Sequence, residues 1–215
     1  MTSREEVLAR IRRALGAAGA GGDSPPEGGA AAYGHRTRST VGSAHLVRLL
    51  TERLSDYGSS VRHCTEGRLS RVLAEALASR GVARAVVAPD FEVSLLPEGV
   101  GVECVADHGL TAGELDTFDA VITTATVAIA ETGTIVLDGS TGQGRRALSL
   151  IPDYHLCIVR ERQVVGLVPE ALARLQPERP LTWISGPSAT SDIELDRVEG
   201  VHGSRTMDVI VVSEP

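Results

Sequence analysis

From residue 41 onward the apolar positions switch between a helical period and short runs without gaps. Leu46, Leu50, Leu54 and Tyr57 share one side of a helix over 43–57. A short strand follows at 60–64. Leu69, Val72, Leu73, Ala76 and Leu77 then line one face of a helix over 66–80, which Gly81 stops. Residues 84–88 are apolar almost throughout and end at Pro89, and 101–106 reads as a further strand. Helices with one apolar stripe, alternating with unbroken apolar strands, predict an α/β fold with a mainly parallel sheet flanked by helices.

The second half is denser in strands, at 120–123, 127–130, 134–137, 156–160, 181–185 and 207–212, with a helix at 168–175. Glu131, Thr132 and Gly133 separate two of these runs and predict a tight hairpin. Ahead of this pattern, residues 3–15 form an amphipathic helix. Ser3 and Glu6 make a capping box, and Leu8, Ile11 and Leu15 lie on one face. The segment after it is Gly/Pro-rich and has no period. The expected organisation is a tethered N-terminal helix over 1–17, a linker over 18–40 and an α/β domain over 41–215.

Composition narrows the chemistry. The 215-residue chain carries a net charge of −7, against a nucleic-acid partner. All 21 basic residues are arginine. Without lysine there is no Schiff base and no P-loop. No run reaches the ~18 apolar residues of a membrane span, and the charged start is unlike a signal peptide, so a cytoplasmic location is expected. Cys64, Cys104 and Cys157 are dispersed, which predicts reduced thiols and no metal or iron–sulfur site of the chain's own.

Four stretches carry candidate chemistry. In 184–194 (ISGPSATSDIE) a strand ends at Ser185, Gly186 and Pro187 turn the chain, and Ser191 and Glu194 form a second capping box. Ser185, Gly186, Ser188, Thr190 and Asp192 therefore stand at an expected helix start, either as an anion cradle or simply as a cap. In 198–205 (VEGVHGSR), His202 and Gly203 precede Arg205, whose guanidinium suits an anion; the other reading is a solvated turn. These two loops are expected to meet at one edge of the sheet. Gly142, Gly144 and Ala147 match G-x-G-x-x-A, but Pro152 leaves too short a helix for a dinucleotide-binding crossover. Arg145 and Arg146 in that loop could still close over an anion. Glu131 is either a dry carboxylate fit to act as acid, base or nucleophile, or a turn residue facing water.

In order and spacing, 128–136 (AIAETGTIV), 150–155 (LIPDYH), 184–194 and 200–205 (GVHGSR) resemble the LUD-domain family of lactate-utilisation proteins, in its protein C type. The likeness runs from about residue 41 to the end. It implies a fold similar to the ribose-5-phosphate isomerase and CoA-transferase superfamily, and a place in a bacterial system that oxidises L-lactate to pyruvate. The iron–sulfur cysteines of that system belong to partner subunits, so no cofactor is expected here. Where the family often has proline before the last arginine, this chain has Ser204. Three functions follow: an accessory or substrate-binding subunit, an enzyme of CoA-transferase or phosphosugar-isomerase kind with Glu131 as catalyst, or a regulatory module for a small carboxylate.

Overall fold

The computed structural model describes residues 3–18, 36–96, 101–191, 197–199 and 203–214. The chain divides into two units, residues 1–35 and 36–215. In the first, α1 (Ser3–Ala18) is a helix with Glu5 and Glu6 in its opening turn, where acidic groups suit the helix dipole. The side chains of Ile11 and Leu15 lie outside the described residues.

The second unit begins with α2 (Ser43–Asp56), β1 (Ser60–Thr65), α3 (Leu69–Ser79), β2 (Arg84–Val87), β3 (Glu103–Ala106), α4 (Ala112–Leu115) and β4 (Ala120–Thr124). It continues with β5 (Val127–Ile129), β6 (Thr134–Leu137), β7 (Tyr154–Arg160), β8 (Val164–Val165), α5 (Val168–Leu172), β9 (Thr182–Ile184), β10 (Ala189–Ser191), β11 (Arg197–Glu199) and β12 (Thr206–Ser213). The packed unit starts before the expected boundary at 41. Arg36 reaches Glu131, and the Ser39 N–H donates to Glu170 at 3.1 Å.

Six strands form one parallel sheet in the order β1-β12-β7-β4-β2-β3. Its central strands are buried on both faces, as their gapless apolar runs require. Leu156, Ile158, Ile210 and Val212 point to one face, where Leu69, Leu73 and Leu77 of α3 cover them. Cys157, Val159, Val209 and Val211 point to the other, against Leu46, Leu50 and Leu54 of α2. Fully burying one such aliphatic side chain is worth about 1.5–3 kcal/mol.

The second-half strands do not all join this sheet. A mixed four-stranded sheet, β8-β5-β6-β9, packs Ala128, Ile135 and Leu137 into the same cluster as α2. Val127, Ile129 and Val136 face the other way, against Ala171 of α5 and Leu175. β5 and β6 form the expected antiparallel hairpin. Its turn needs glycine. Gly133 has φ 60, and a Cβ there would stand 2.6 Å from the Arg53 Cβ of α2.

A helix starting near Ser191 was expected, and the described residues on either side of 192–196 are strands instead. Ala189–Ser191 pairs antiparallel with Arg197–Glu199, so the local capping signal loses to strand pairing. Pairing supplies these backbone groups with partners along both strands, which one cap cannot do. Residues 192–196 between the two strands lie outside the described residues.

The sheet also holds a buried charge. Asp208 on β12 is fully buried and accepts from Arg80 at 2.7 Å and from the Tyr154 hydroxyl at 3.1 Å. Removing Arg80 leaves that carboxylate without its cation. Arg80→Ala should destabilise the fold by about 2–4 kcal/mol, near the low end because Arg80 is 39% exposed. Adding Asp208→Asn should recover part of the loss in denaturant titrations. Deleting residues 1–35 should leave a cooperative unfolding transition shifted by less than about 2 °C, since among the described residues the apolar clusters draw on Leu46 and later positions. Loss of the transition in scanning calorimetry would mean that the first unit belongs to the core.

Candidate functional site

The loop after β9 and the loop before β12 meet. The Ser188 N–H donates to the Ser204 carbonyl at 2.8 Å. Ser204 is buried, and its hydroxyl donates to the Pro152 carbonyl at 2.6 Å. A serine in place of proline therefore ties this loop down by a hydrogen bond of its own. On the other side, Gly186 has φ 83, and a Cβ there would stand 2.5 Å from the Tyr57 Cβ, so only glycine lets the turn close against the end of α2. The meeting point lies at the amino ends of β7 and β12. These are interior strands, so the expected position at a sheet edge is corrected.

A cleft of about 500 Å³ opens there. Ser185, Gly186, Ser188 and Gly203 from the expected set line it, together with Arg146, Ser149, His155, Ser204 and Met207. A second cleft of about 640 Å³ is lined by Asp138, Gly139, Ser140, Gln143, Arg145 and Arg179, and it shares Arg146, Ser149 and Thr182 with the first. The glycine-rich loop 139–144 bounding it sits over the carboxyl ends of parallel strands. Gly142 contacts Thr124 at the end of β4, and Gly144 contacts Ala88 just past β2.

Other expected residues are engaged elsewhere. Arg205 grips Asp153 with both prongs of its guanidinium, Nε at 2.9 Å, and lines neither cleft. Arg145 holds buried Asp107 in the same bidentate way, Nε to Oδ2 at 2.6 Å, and also reaches the Leu110 carbonyl. The Arg145 bond, ahead of the backbone N–H groups of Leu110 and Gly109, keeps the Asp107 carboxyl below its usual range despite burial. Glu131 is not the dry carboxylate of the first reading. Its side chain is 47% exposed, pairs with Arg36 at 2.5 Å and lines neither cleft. Asp192 and His202 lie outside the described residues, as does the side chain of Thr190.

Arg146 differs from these arginines. It lines both clefts, and among the described residues no carboxylate pairs with it. Asp138, the carboxylate of the second cleft, is turned inward to hydroxyls. Burial pushes its pKa up, but bonds from Ser140 and Thr126 outweigh that and hold it low. Gln143 closes this network, accepting from the Asp138 and Gly139 N–H groups and donating to Thr126 and Ser140.

His155 forms part of the floor of the first cleft and is 2% exposed. Its Nε2 lies 2.7 Å from the Thr123 hydroxyl. Burial drives its pKa down to about 4. Sequence reasoning held His155 only as the end of a motif and passed over Arg146 as one of a pair. The signal for His155 was its place inside an apolar strand.

Among the described residues no cluster of three His, Cys, Asp or Glu side chains could hold a metal ion. Cys64 is on β1, Cys157 on β7 and Cys104 on β3. β1 and β3 are five strand spacings apart, about 24 Å. No described helix is long and apolar enough to cross a membrane.

The LUD domain family model matches residues 48–212. The chain is 44% identical over 213 residues to "Lactate utilization protein C" of Deinococcus radiodurans, covering 96% of this chain and 94% of that protein. It is 30% identical to the protein of the same name from Halalkalibacterium halodurans, covering 80% and 81%. A crystal structure of a DUF162 family protein from Deinococcus radiodurans superposes with a TM-score of 0.67 at 38% identity, covering 80% of this chain and 99% of that one.

The His155 environment has a measurable consequence. An unfolded histidine takes a proton near pH 6.5, whereas the folded one resists until about 4. Stability is therefore full above about pH 6.5 and should fall by about 3 kcal/mol as the pH drops towards 4. His155→Gln should flatten the denaturation midpoint across that window. An unchanged slope would place the acid sensitivity elsewhere.

Proposed function

The chain belongs to the LUD-domain family, and from that membership we propose that it serves bacterial use of L-lactate in the cytoplasm. In this reading it is a subunit without a redox centre of its own, which binds a small carboxylate beside iron–sulfur partner proteins. The relatives' names support the pathway. The separation of the three cysteines on different strands supports leaving electron transfer to partners.

Arg146 is the observation that carries the binding role. Each cleft arginine beside it has a carboxylate: Arg145 pairs with Asp107, and Arg179 lies 3.5 Å from Asp138. Arg146 brings a planar two-pronged donor to two clefts that Ser149 and Thr182 also line. A short acid fills a small part of this space, so affinity should be modest, with a Kd on the order of 1 mM.

The volume of the joined clefts favours a second reading, an enzyme of CoA-transferase or phosphosugar-isomerase kind acting on a larger anion. Glu131 is a poor catalyst for it, because it faces away from both clefts into an exposed ion pair.

Arg146→Ala should weaken L-lactate binding by about 1.5–3 kcal/mol, tenfold to more than a hundredfold. The melting temperature should hold, since an exposed arginine with no carboxylate partner among the described residues adds little to the fold. Isothermal titration and thermal melts check both. Wild-type protein that binds no short acid at about 10 mM would overturn the carboxylate reading. Copurification with iron-containing chains from a native source checks the partner reading.

A further inference from the structure

We propose that His155 selects the ligand's second functional group: it favours short carboxylates with a hydroxyl or oxo oxygen next to the carboxylate over acids that lack one. This rests on the reading of the cleft as a carboxylate site centred on Arg146, and adds to it the chemistry of the cleft floor.

The geometry begins with the alternation of β7. Cys157 and Val159 join the apolar cluster beneath α2, and His155 shares their side of the strand. His155 thereby sits under the first cleft, next to Met207 of β12. The ring is fixed. Its Nε2 bonds the Thr123 hydroxyl at 2.7 Å, and Thr123 is itself fully buried. Thr123 stands opposite Cys157 in the β4–β7 pairing, and burial pushes the Cys157 thiol up to about 12 and so keeps it protonated. Thr123 is enclosed between β4 and β7, and its bond to Nε2 orients the imidazole.

One polar atom of the ring is left. Nδ1 takes no hydrogen bond from a described residue. His155 lines the first cleft, and with Nε2 engaged by Thr123 we assign Nδ1 to a ligand there. Because the ring is neutral at cell pH, it does not compete with Arg146 for the carboxylate as a second cation. It offers a single directed hydrogen bond instead. A hydroxyl satisfies either tautomer, since it both donates and accepts. An oxo oxygen satisfies the tautomer in which Thr123 donates to Nε2 and Nδ1 carries the proton. An unsubstituted acid puts a methylene there and leaves a desolvated nitrogen unpaired, which a site of this kind penalises.

The test uses the full chain and compares L-lactate with propionate by calorimetric or NMR titration. Wild-type protein should bind lactate about tenfold or more tightly than propionate. His155→Leu should lower lactate affinity to the propionate level and leave propionate unchanged, and His155→Gln should restore part of the preference. Thr123→Val, which frees the ring, should narrow the preference without abolishing propionate binding. If His155→Leu keeps the lactate-to-propionate ratio, the inference fails while the Arg146 reading stands. If Arg146→Ala leaves both affinities unchanged, the carboxylate reading itself fails and the inference falls with it. Should the leucine variant not fold, the wild-type imidazole nitrogen spectrum decides. The Nδ1 resonance should move on adding lactate and stay put on adding propionate, and equal response to both acids would overturn the proposal.

Discussion

A parallel strand that is apolar on both sides has to be covered on both sides, and the architecture of the second unit follows from that requirement. β7 and β12 lie inside the six-stranded sheet and show alternate residues to opposite faces. α3 covers one face with leucines. The other face is wider than α2 alone can cover, and the four-stranded sheet completes it with Ala128, Ile135 and Leu137. That second sheet in turn has an apolar outer side, which Ala171 and Leu175 close. The cover ends where β9 gives way to the turn at Gly186, and the first cleft opens at that margin. The first cleft is thus the place where the second layer stops short of the amino ends of β7 and β12.

Charge is handled by a similar rule. Asp107, Asp138 and Asp208 are buried, and each has an arginine within ion-pair distance. Burying a carboxylate costs several kcal/mol unless it is paired and hydrogen-bonded. With no lysine in the chain, arginine does this work throughout, and its planar fork meets Asp107 through two donors at once. These structural pairs occupy Arg80, Arg145 and Arg179. What distinguishes Arg146 from its sequence neighbour is therefore the carboxylate that Arg145 has and that, among the described residues, Arg146 does not.

Much of the order of elements was legible along the chain. The helix over 43–57 is α2, the helix over 66–80 contains α3, and the hairpin at Glu131–Gly133 joins β5 to β6. Such features depend on residues close in sequence, where apolar period and turn chemistry act directly. The same local logic did not carry to Ser191, which lies in a strand. The spacing of Ser191 and Glu194 suits a helix start, yet the backbone on both sides found strand partners instead. Local logic left Glu131 open between a dry carboxylate and a turn residue facing water, a choice that depended on whether Arg36 and water would reach it.

The sequence by itself determined the parallel α/β character, the leucine stripes of α2 and α3, and the family, because each is written in periodicity or in a contiguous motif. Only the tertiary structure decided which short apolar runs join the parallel sheet and which build the second one, since a run such as Val127–Ile129 looks the same in either. It alone also decided the roles of the cations. Arg145, Arg146 and Arg205 are chemically identical in the chain. Asp107 and Asp153, 38 and 52 residues away, engage two of them. The third remains at the cleft because electrostatic pairing depends on distance through space, which residue type and spacing do not encode.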